Sequence, residues 1–324
     1  MDFDRSEIAS ALSKAAPVLV IGDIMLDQYL VGKVGSCPEG GEKFVVCGTK
    51  NVLGGAGNVA TNLRALGVKV HLISAVGTYD RKIDDAGRII LALLDEAGIK
   101  ENDRHLINSM HHTTVKARMY DDEKRVSMRV DRDLLLENPQ EVVAVVNNYL
   151  NECPAPVVIV SDYAKGVVSQ ELIRLLASSK ATVFVDPKPK NNVKYTANGF
   201  PFVLRPNKAE ASEIAGFKVD EEHLARVLQS HGARNVIITL GKEGMIVLDE
   251  KGTLTRMPAL ASAVDVTGAG DTVIAGLAAF HSIGLPLRTC CELASVAAAV
   301  VIQKSGTATA TIDEIDALRQ NVKI

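Results

Sequence analysis

The stretch Asp265-Val-Thr-Gly-Ala-Gly-Asp271 runs straight into Thr272-Val-Ile-Ala-Gly-Leu-Ala-Ala-Phe280, an apolar segment of small residues. Gly268, Ala269 and Gly270 let the backbone approach a ligand closely. The apolar segment reads as a buried helix whose first turn leaves its N–H groups unpaired. Such a turn attracts anions, although an ordinary glycine-rich loop before a helix looks the same. Asp271 changes the reading, because a carboxylate where an anion should sit is unfavourable unless it moves a proton or holds a metal. Loop and carboxylate together suggest a base beside a transferring phosphoryl group.

Other polar groups follow apolar runs. Asp27, in Gly22-Asp-Ile-Met-Leu-Asp27 after the run Pro17 to Ile21, reads as a hydroxyl acceptor or as a turn or cap aspartate. Leu53-Gly-Gly-Ala-Gly-Asn58 offers an amide that either holds a sugar hydroxyl or caps the next helix. Its glycines imitate a dinucleotide fingerprint without the full spacing or the acidic residue on a second strand. Thr239 with Gly241 and Gly244 suits a backbone-lined nucleotide pocket or a plain turn. Lys116 and Arg118, two apart on an extended segment, project to one face. They either share a phosphate between them or are two solvated charges paired with Asp121 or Asp131.

The elements that position these groups follow from periodicity. Residues 5 to 14 read as an amphipathic helix, and 17 to 21 as a parallel strand buried on both faces. Strands are expected at 70–76, 157–160, 182–185, 202–204, 235–239 and 245–248, with helices at 59–66 and 84–97. From Pro139 onward strand and helix units repeat, and polar clusters follow the strands: Ser161-Asp162-Tyr-Ala-Lys165-Gly166, Asp186-Pro-Lys188 and Arg205-Pro-Asn207-Lys-Ala-Glu210. The crossover rule puts such carboxyl ends on one edge of a doubly wound α/β sheet, so the clusters converge. Residues 29–34 with 43–50, and 113–119 with 124–130, alternate like hairpins and form a β flap.

Composition narrows the function classes. A hydrophobic fraction of 47% and a charged fraction of 23% describe a globular chain. A net charge of -3 without a Lys/Arg cluster argues against nucleic acid. The longest apolar runs, such as Leu293 to Ile302, suit a core helix rather than a membrane span. Five cysteines lack metal spacing, and with no signal-peptide pattern they fit a reducing cytoplasm. His111-His112 reads as exposed loop, Cys290-Cys291 as core, and Asp121 to Arg125 as a solvated hairpin tip.

Taken in order, Gly54 to Asn58, Asp186 to Lys188, Pro206 to Glu210, Thr239 to Gly244 and Asp265 to Asp271 resemble the ribokinase-like (PfkB) carbohydrate kinases over nearly the whole chain. Gly22 to Asp27, Lys116-Ala-Arg118, Arg129-Val-Asp131 and Ser161 to Gly166 are most similar to the D-glycero-β-D-manno-heptose 7-phosphate 1-kinases within that family. The resemblance implies one three-layer α/β kinase domain over 1–324, with a central, mostly parallel sheet and a β lid from about 28–52 and 112–131. It implies ATP and a sugar phosphate as ligands, Mg²⁺ as cofactor, and a homodimer through the lid.

By the same resemblance Asp271 is the base and the amides of Gly268, Ala269 and Gly270 stabilise the γ-phosphate. Asp27, Gly55 and Asn58 hold sugar hydroxyls, while Lys116, Arg118, Asp162, Lys165 and Lys188 meet substrate or phosphate charge. Asn207 and Glu210 organise hydrated Mg²⁺ through water, and Thr239, Gly241, Gly244, Thr267 and Ser295 fall on the nucleotide side. Three departures stand out. Cys37-Pro-Glu-Gly-Gly-Glu42 replaces the common Pro-Glu-Ala-Pro of the lid, Ala294-Ser295-Val296 stands where Asn is frequent, and Arg205 replaces a commoner Thr. Bifunctional relatives continue into a nucleotidyltransferase domain; with its end at Ile324, this chain is expected to be a stand-alone kinase.

Overall fold

The computed structural model describes residues 4–121, 126–133, 135–153, 156–189, 195, 202–262, 264–304 and 306–322. Helix α1 (Arg5–Lys14) starts at Asp4, whose carboxylate accepts from the Ser6 and Glu7 N–H groups. It leads to β1 (Val18–Gly22), buried at every position. The chain then enters a long hairpin, β2 (Ile24–Ser36) and β3 (Glu42–Gly55), before α2 (Ala56–Ala65). Next come β4 (Val70–Tyr79), the short β5 (Lys82–Ile83), α3 (Asp85–Glu96) and β6 (Arg104–Ser109). A second hairpin, β7 (Val115–Tyr120) and β8 (Val126–Arg132), precedes α4 (Gln140–Glu152). The remainder runs β9 (Val157–Ser161), α5 (Gln170–Ala177), β10 (Thr182–Asp186), β11 (Val203–Leu204), α6 (Lys208–Ala215) and α7 (Glu221–Ser230). It ends with β12 (Asn235–Thr239), β13 (Met245–Leu248), β14 (Leu254–Met257), α8 (Ala269–Ser282), α9 (Leu287–Val301) and α10 (Ile312–Val322).

Among the described residues, β6, β4, β1, β9, β10, β11 and β12 lie side by side in parallel, and β13 and β14 extend that sheet antiparallel. Strand residues alternate between two cores, as a sheet covered on both faces requires. Val18 and Val20 pack with α2, α3, α8 and α9, whereas Leu19 and Ile21 pack with α4, α5 and α7. This is the three-layer α/β architecture, and it explains why these strands are apolar throughout. The sequence reading passed over β6 and β14.

From β1 the chain builds outward to β4 and β6, then returns to lay β9 on the other side of β1. Beyond the carboxyl ends of β1 and β9 is therefore the crevice where open α/β sheets bind ligands. Asp23 closes it, its buried carboxylate accepting from the N–H groups of Tyr163, Lys165 and Val167 in the loop after β9.

The two hairpins form a separate four-stranded sheet in the order β3-β2-β7-β8. Its first hairpin reaches further toward the main sheet than the sequence suggests: β2 starts at Ile24 and β3 runs to Gly55. Asp27 consequently does not stand at the end of a parallel strand. The chain breaks after Gly22 and re-enters strand at Ile24, which carries Asp27 into the second sheet. Of the tip expected at 121–125, residues 122–125 lie outside the described residues.

Candidate active site

Asp271 occupies the first turn of α8, whose N-cap residue Gly268 adopts φ 79°. A Cβ at Gly268 would lie 2.8 Å from the Asn58 side-chain nitrogen, so this left-handed turn needs glycine twice over. Both oxygens of Asp271 are engaged. Asn58 Nδ2 donates to Oδ2 at 2.7 Å, and Tyr163 Oη donates to Oδ1 at 3.0 Å. Burial, with the charge of Asp186 adding to it, pushes the Asp271 carboxyl up to about 6 against those two donors and Arg205. That is where a general base working near neutrality should sit.

Asn58 is not a helix cap. It lies inside α2, where Gly55 holds the N-cap position at φ 58°. Asn62 Nδ2 donates to Asn58 Oδ1 at 3.1 Å, which turns the Asn58 NH₂ toward Asp271, and Thr272 Oγ1 fixes Asn62 at 2.9 Å. The sequence reading missed Asn62, Asp23 and Tyr163. Four-residue spacing on one helix could have found Asn62 beside Asn58, and Tyr163 stood inside a marked motif.

On one side of Asp271 opens a cavity of about 1110 Å³. It is lined by Gly268, Ala269, Gly270, Asp271, Asp162, Lys188, Asn207, Glu210, Thr239, Gly241, Gly244 and Ser295. The space suits a nucleotide. Gly241 and Gly244 have φ 58° and 88°, and a Cβ at Gly244 would meet the Met257 carbonyl oxygen at 2.0 Å. Ser295 Oγ donates to the Cys291 carbonyl of its own helix at 2.8 Å, and Thr267 contributes its N–H to Asp265 at 2.9 Å. Thr267 does not line the cavity. Asp162 accepts from Ala164 N–H at 2.7 Å and from the Tyr195 hydroxyl.

Asn207 and Glu210 form a reciprocal capping box at the start of α6, so Asn-x-x-Glu here is also the signature of a helix start. Glu210 Oε1 pairs with Lys188 at 3.0 Å, and both line the cavity. Among the described residues no group of three or more His, Cys, Asp or Glu side chains is assembled to hold a metal. The hard oxygen donors of Asn207 and Glu210, already bonded to one another's backbone, fit a hydrated Mg²⁺ held through water rather than a direct ligand shell.

The other side of Asp271 faces the second sheet. Asp27 is buried there and Arg118 Nη1 donates to its Oδ1 at 2.8 Å. Arg118 also lies over the Tyr29 ring, and Tyr29 Oη meets Thr307 Oγ1 at 3.1 Å. The sequence offers Asp121 or Asp131 as partners for the two cations; the partner of Arg118 is instead Asp27, and Asp131 is taken by Arg129 at 2.6 Å. The pairing follows from register, since Asp27 and Lys116 are opposite and Arg118 is two further along the same face. Lys116 Nζ stands 4.8 Å from the centre of the Tyr163 ring, and burial pulls its pKa down. Among the described residues no carboxylate pairs with Lys116. Lys165 pairs with Asp133 at 2.6 Å, away from the cavity.

A sequence model of the pfkB family of carbohydrate kinases matches residues 15–314. The chain belongs to this family. That family is one of carbohydrate kinases. The "Bifunctional protein HldE" of a Nitratiruptor species is 36% identical over 320 residues, covering 94% of this chain. The chain spans 65% of that relative's length. Phosphofructokinase-2 from Escherichia coli, solved with potassium, shares the fold with a TM-score of 0.77 at 15% identity, over 96% of this chain and 100% of that one. Arabidopsis thaliana ribokinase, solved with ribose and ATP, superposes with a TM-score of 0.70 at 18% identity, over 96% and 99% of the two chains.

Proposed function

We propose that this kinase phosphorylates O1 of D-glycero-β-D-manno-heptose 7-phosphate to the 1,7-bisphosphate, a step toward ADP-heptose and the lipopolysaccharide core. The observation that carries the reading is Lys116, a half-buried ammonium with no carboxylate partner among the described residues, stacked on the tyrosine that bonds Asp271. An anion on the acceptor satisfies that charge. The likeness of Gly22 to Asp27, Lys116 to Arg118 and Ser161 to Gly166 to heptose 7-phosphate kinases supports the same choice, as does the similarity to proteins named HldE.

In this reading Asp27 and Asn58 hold sugar hydroxyls, and Asp271 accepts the proton of the attacking hydroxyl. Asn58 and Tyr163 keep the Asp271 carboxylate oriented. The N–H groups of Ala269 and Gly270 take up charge on the γ-phosphoryl oxygens. Lys188, Asn207, Glu210, Thr239 and Gly241 position the nucleotide. Asn207 and Glu210 would hold a hydrated Mg²⁺ through water, and when bound it would supply neutralisation of the nucleotide phosphates.

The test is phosphorus NMR of the product formed from Mg-ATP and heptose 7-phosphate, alongside steady-state rates on the unphosphorylated heptose. Lys116→Ala and Arg118→Ala should each raise KM for the phosphorylated acceptor at least tenfold, the worth of one charge-assisted hydrogen bond, and leave KM for ATP nearly unchanged. Equal efficiency of the wild type on free and phosphorylated heptose sinks the reading.

A further inference from the structure

Arg205 has no role in the mechanism above, although it is the position where this chain departs from the commoner Thr. It follows β11, is 6% exposed, and lines the nucleotide cavity. Its guanidinium is salt-bridged to Asp186, while its Nε has no hydrogen-bond partner. A Cβ on Gly270 would lie 3.2 Å from both terminal nitrogens of Arg205. The fork therefore stands directly against the anion loop. Among the described residues the charges coupled there are three carboxylates, Asp186, Glu210 and Asp271, and two cations, Arg205 and Lys188, while Asp162 and Lys242 also line the cavity. The site is short of positive charge before any phosphate enters it. Lys188 is the more exposed cation, its side chain 37% accessible and paired with Glu210. Arg205 is buried and cannot lose its proton at any working pH.

We propose that Arg205 donates to the γ-phosphoryl group as it is transferred over Gly270, drawing negative charge off its oxygens while Asp186 anchors the fork. In the step, the acceptor oxygen forms a bond to the γ-phosphorus and the bond from that phosphorus to the β,γ-bridging oxygen breaks. ADP leaves, the hydroxyl proton passes to Asp271, and Arg205 keeps all its protons. A planar fork suits this task because charge spreads over the equatorial oxygens of a loose transition state. The inference rests on the reading that the Gly268–Gly270 loop receives the γ-phosphate, and it is independent of which sugar is the acceptor.

Nucleotide titrations separate the two. The wild type should bind the imido analogue of ATP more tightly than ADP, the difference being the worth of the γ-phosphate. In Arg205→Met combined with Asp186→Asn, which leaves no unpaired buried charge, that advantage should fall about tenfold or more while ADP affinity stays within about threefold. Arg205→Lys keeps the charge but not the fork and should lose part of the advantage. Turnover of Arg205→Ala on any accepted sugar should fall about 10²–10³-fold and recover in part with added guanidinium, which a purely structural arginine would not show. An unchanged advantage of the analogue over ADP in variants that melt like the wild type overturns the proposal. Failure of the wild type to prefer the analogue overturns the reading of the loop and this proposal with it.

Discussion

Asp271 is held in balance: burial and the Asp186 charge favour its neutral form, and Asn58, Tyr163 and Arg205 favour the carboxylate, leaving a pKa of about 6. As the proposed base, Asp271 must be ionised, so kcat/KM should fall as pH drops below about 6. Asp271→Asn should keep ATP binding and lose about 10²–10⁴-fold in kcat, measured by single-turnover and steady-state rates. The same group affects stability with a definite sign. Its folded pKa is raised above the unfolded value of 3.8, so its stabilising contribution is complete below 3.8 and disappears as pH rises through about 6. Asp271→Asn removes that dependence, and its advantage in melting temperature over the wild type should grow across the same interval. Near-normal turnover in a folded Asp271→Asn protein removes the residue from the role of base. The carboxylate was legible from its place at the end of Gly-Ala-Gly. Its second donor was not, because Tyr163 lies 108 residues away and only the hydroxyl's final position reveals the bond.

At the scale of elements, the end of β3 is built around Asp27. A Cβ on Gly54 would fall 2.4 Å from Asp27 Oδ2 and 2.8 Å from the Met25 side chain. Gly54→Ala must therefore displace the carboxylate or the strand, at a cost of about 1–3 kcal/mol. KM for the sugar should rise about tenfold or more with KM for ATP little changed, since β3 does not line the nucleotide cavity. Steady-state rates with each substrate varied in turn check this, and a change confined to ATP would contradict the placement of Asp27. The sequence announced the hairpins by alternation and by the absence of helical periodicity. It did not announce that β2 starts at Ile24, because a single polar residue, Asp23, between apolar runs does not say that the chain changes sheet there.

For the whole molecule, the second sheet turns one face to the site, while its other face packs on the core at Leu26 and Val115 and is bare only farther out. Val34 and Val46 on the hairpin, with Met128 and Val130 on β8, share the face opposite Asp27 and Arg118 and are 47%, 48%, 58% and 47% exposed. A contiguous apolar sheet face of this kind marks an interaction surface. We propose that a second copy of the chain covers it, as the family resemblance implies. Scattering should report twice the 34.6 kDa chain mass, and Val46→Glu with Met128→Glu should shift the protein to the monomer. A wild type that stays monomeric at high concentration defeats the proposal.

The sequence by itself determined the local rules: which runs are buried on both faces, where helices start, and which backbone turns demand glycine. It also determined the family, since Gly54 to Asn58, Asp186 to Lys188, Pro206 to Glu210, Thr239 to Gly244 and Asp265 to Asp271 keep their order along the chain. Each of these is a short-range signal, carried by spacing within a few residues. Pairing across the fold is different, because partners are chosen by register and by burial that neighbours in sequence do not share. Only the tertiary structure decided that Arg118 meets Asp27 rather than Asp121 or Asp131, that Asn58 serves Asp271 rather than capping α2, and that Lys188 reaches Glu210. It alone set Arg205 against Gly270, where a residue 65 positions upstream supplies the charge that the anion loop lacks.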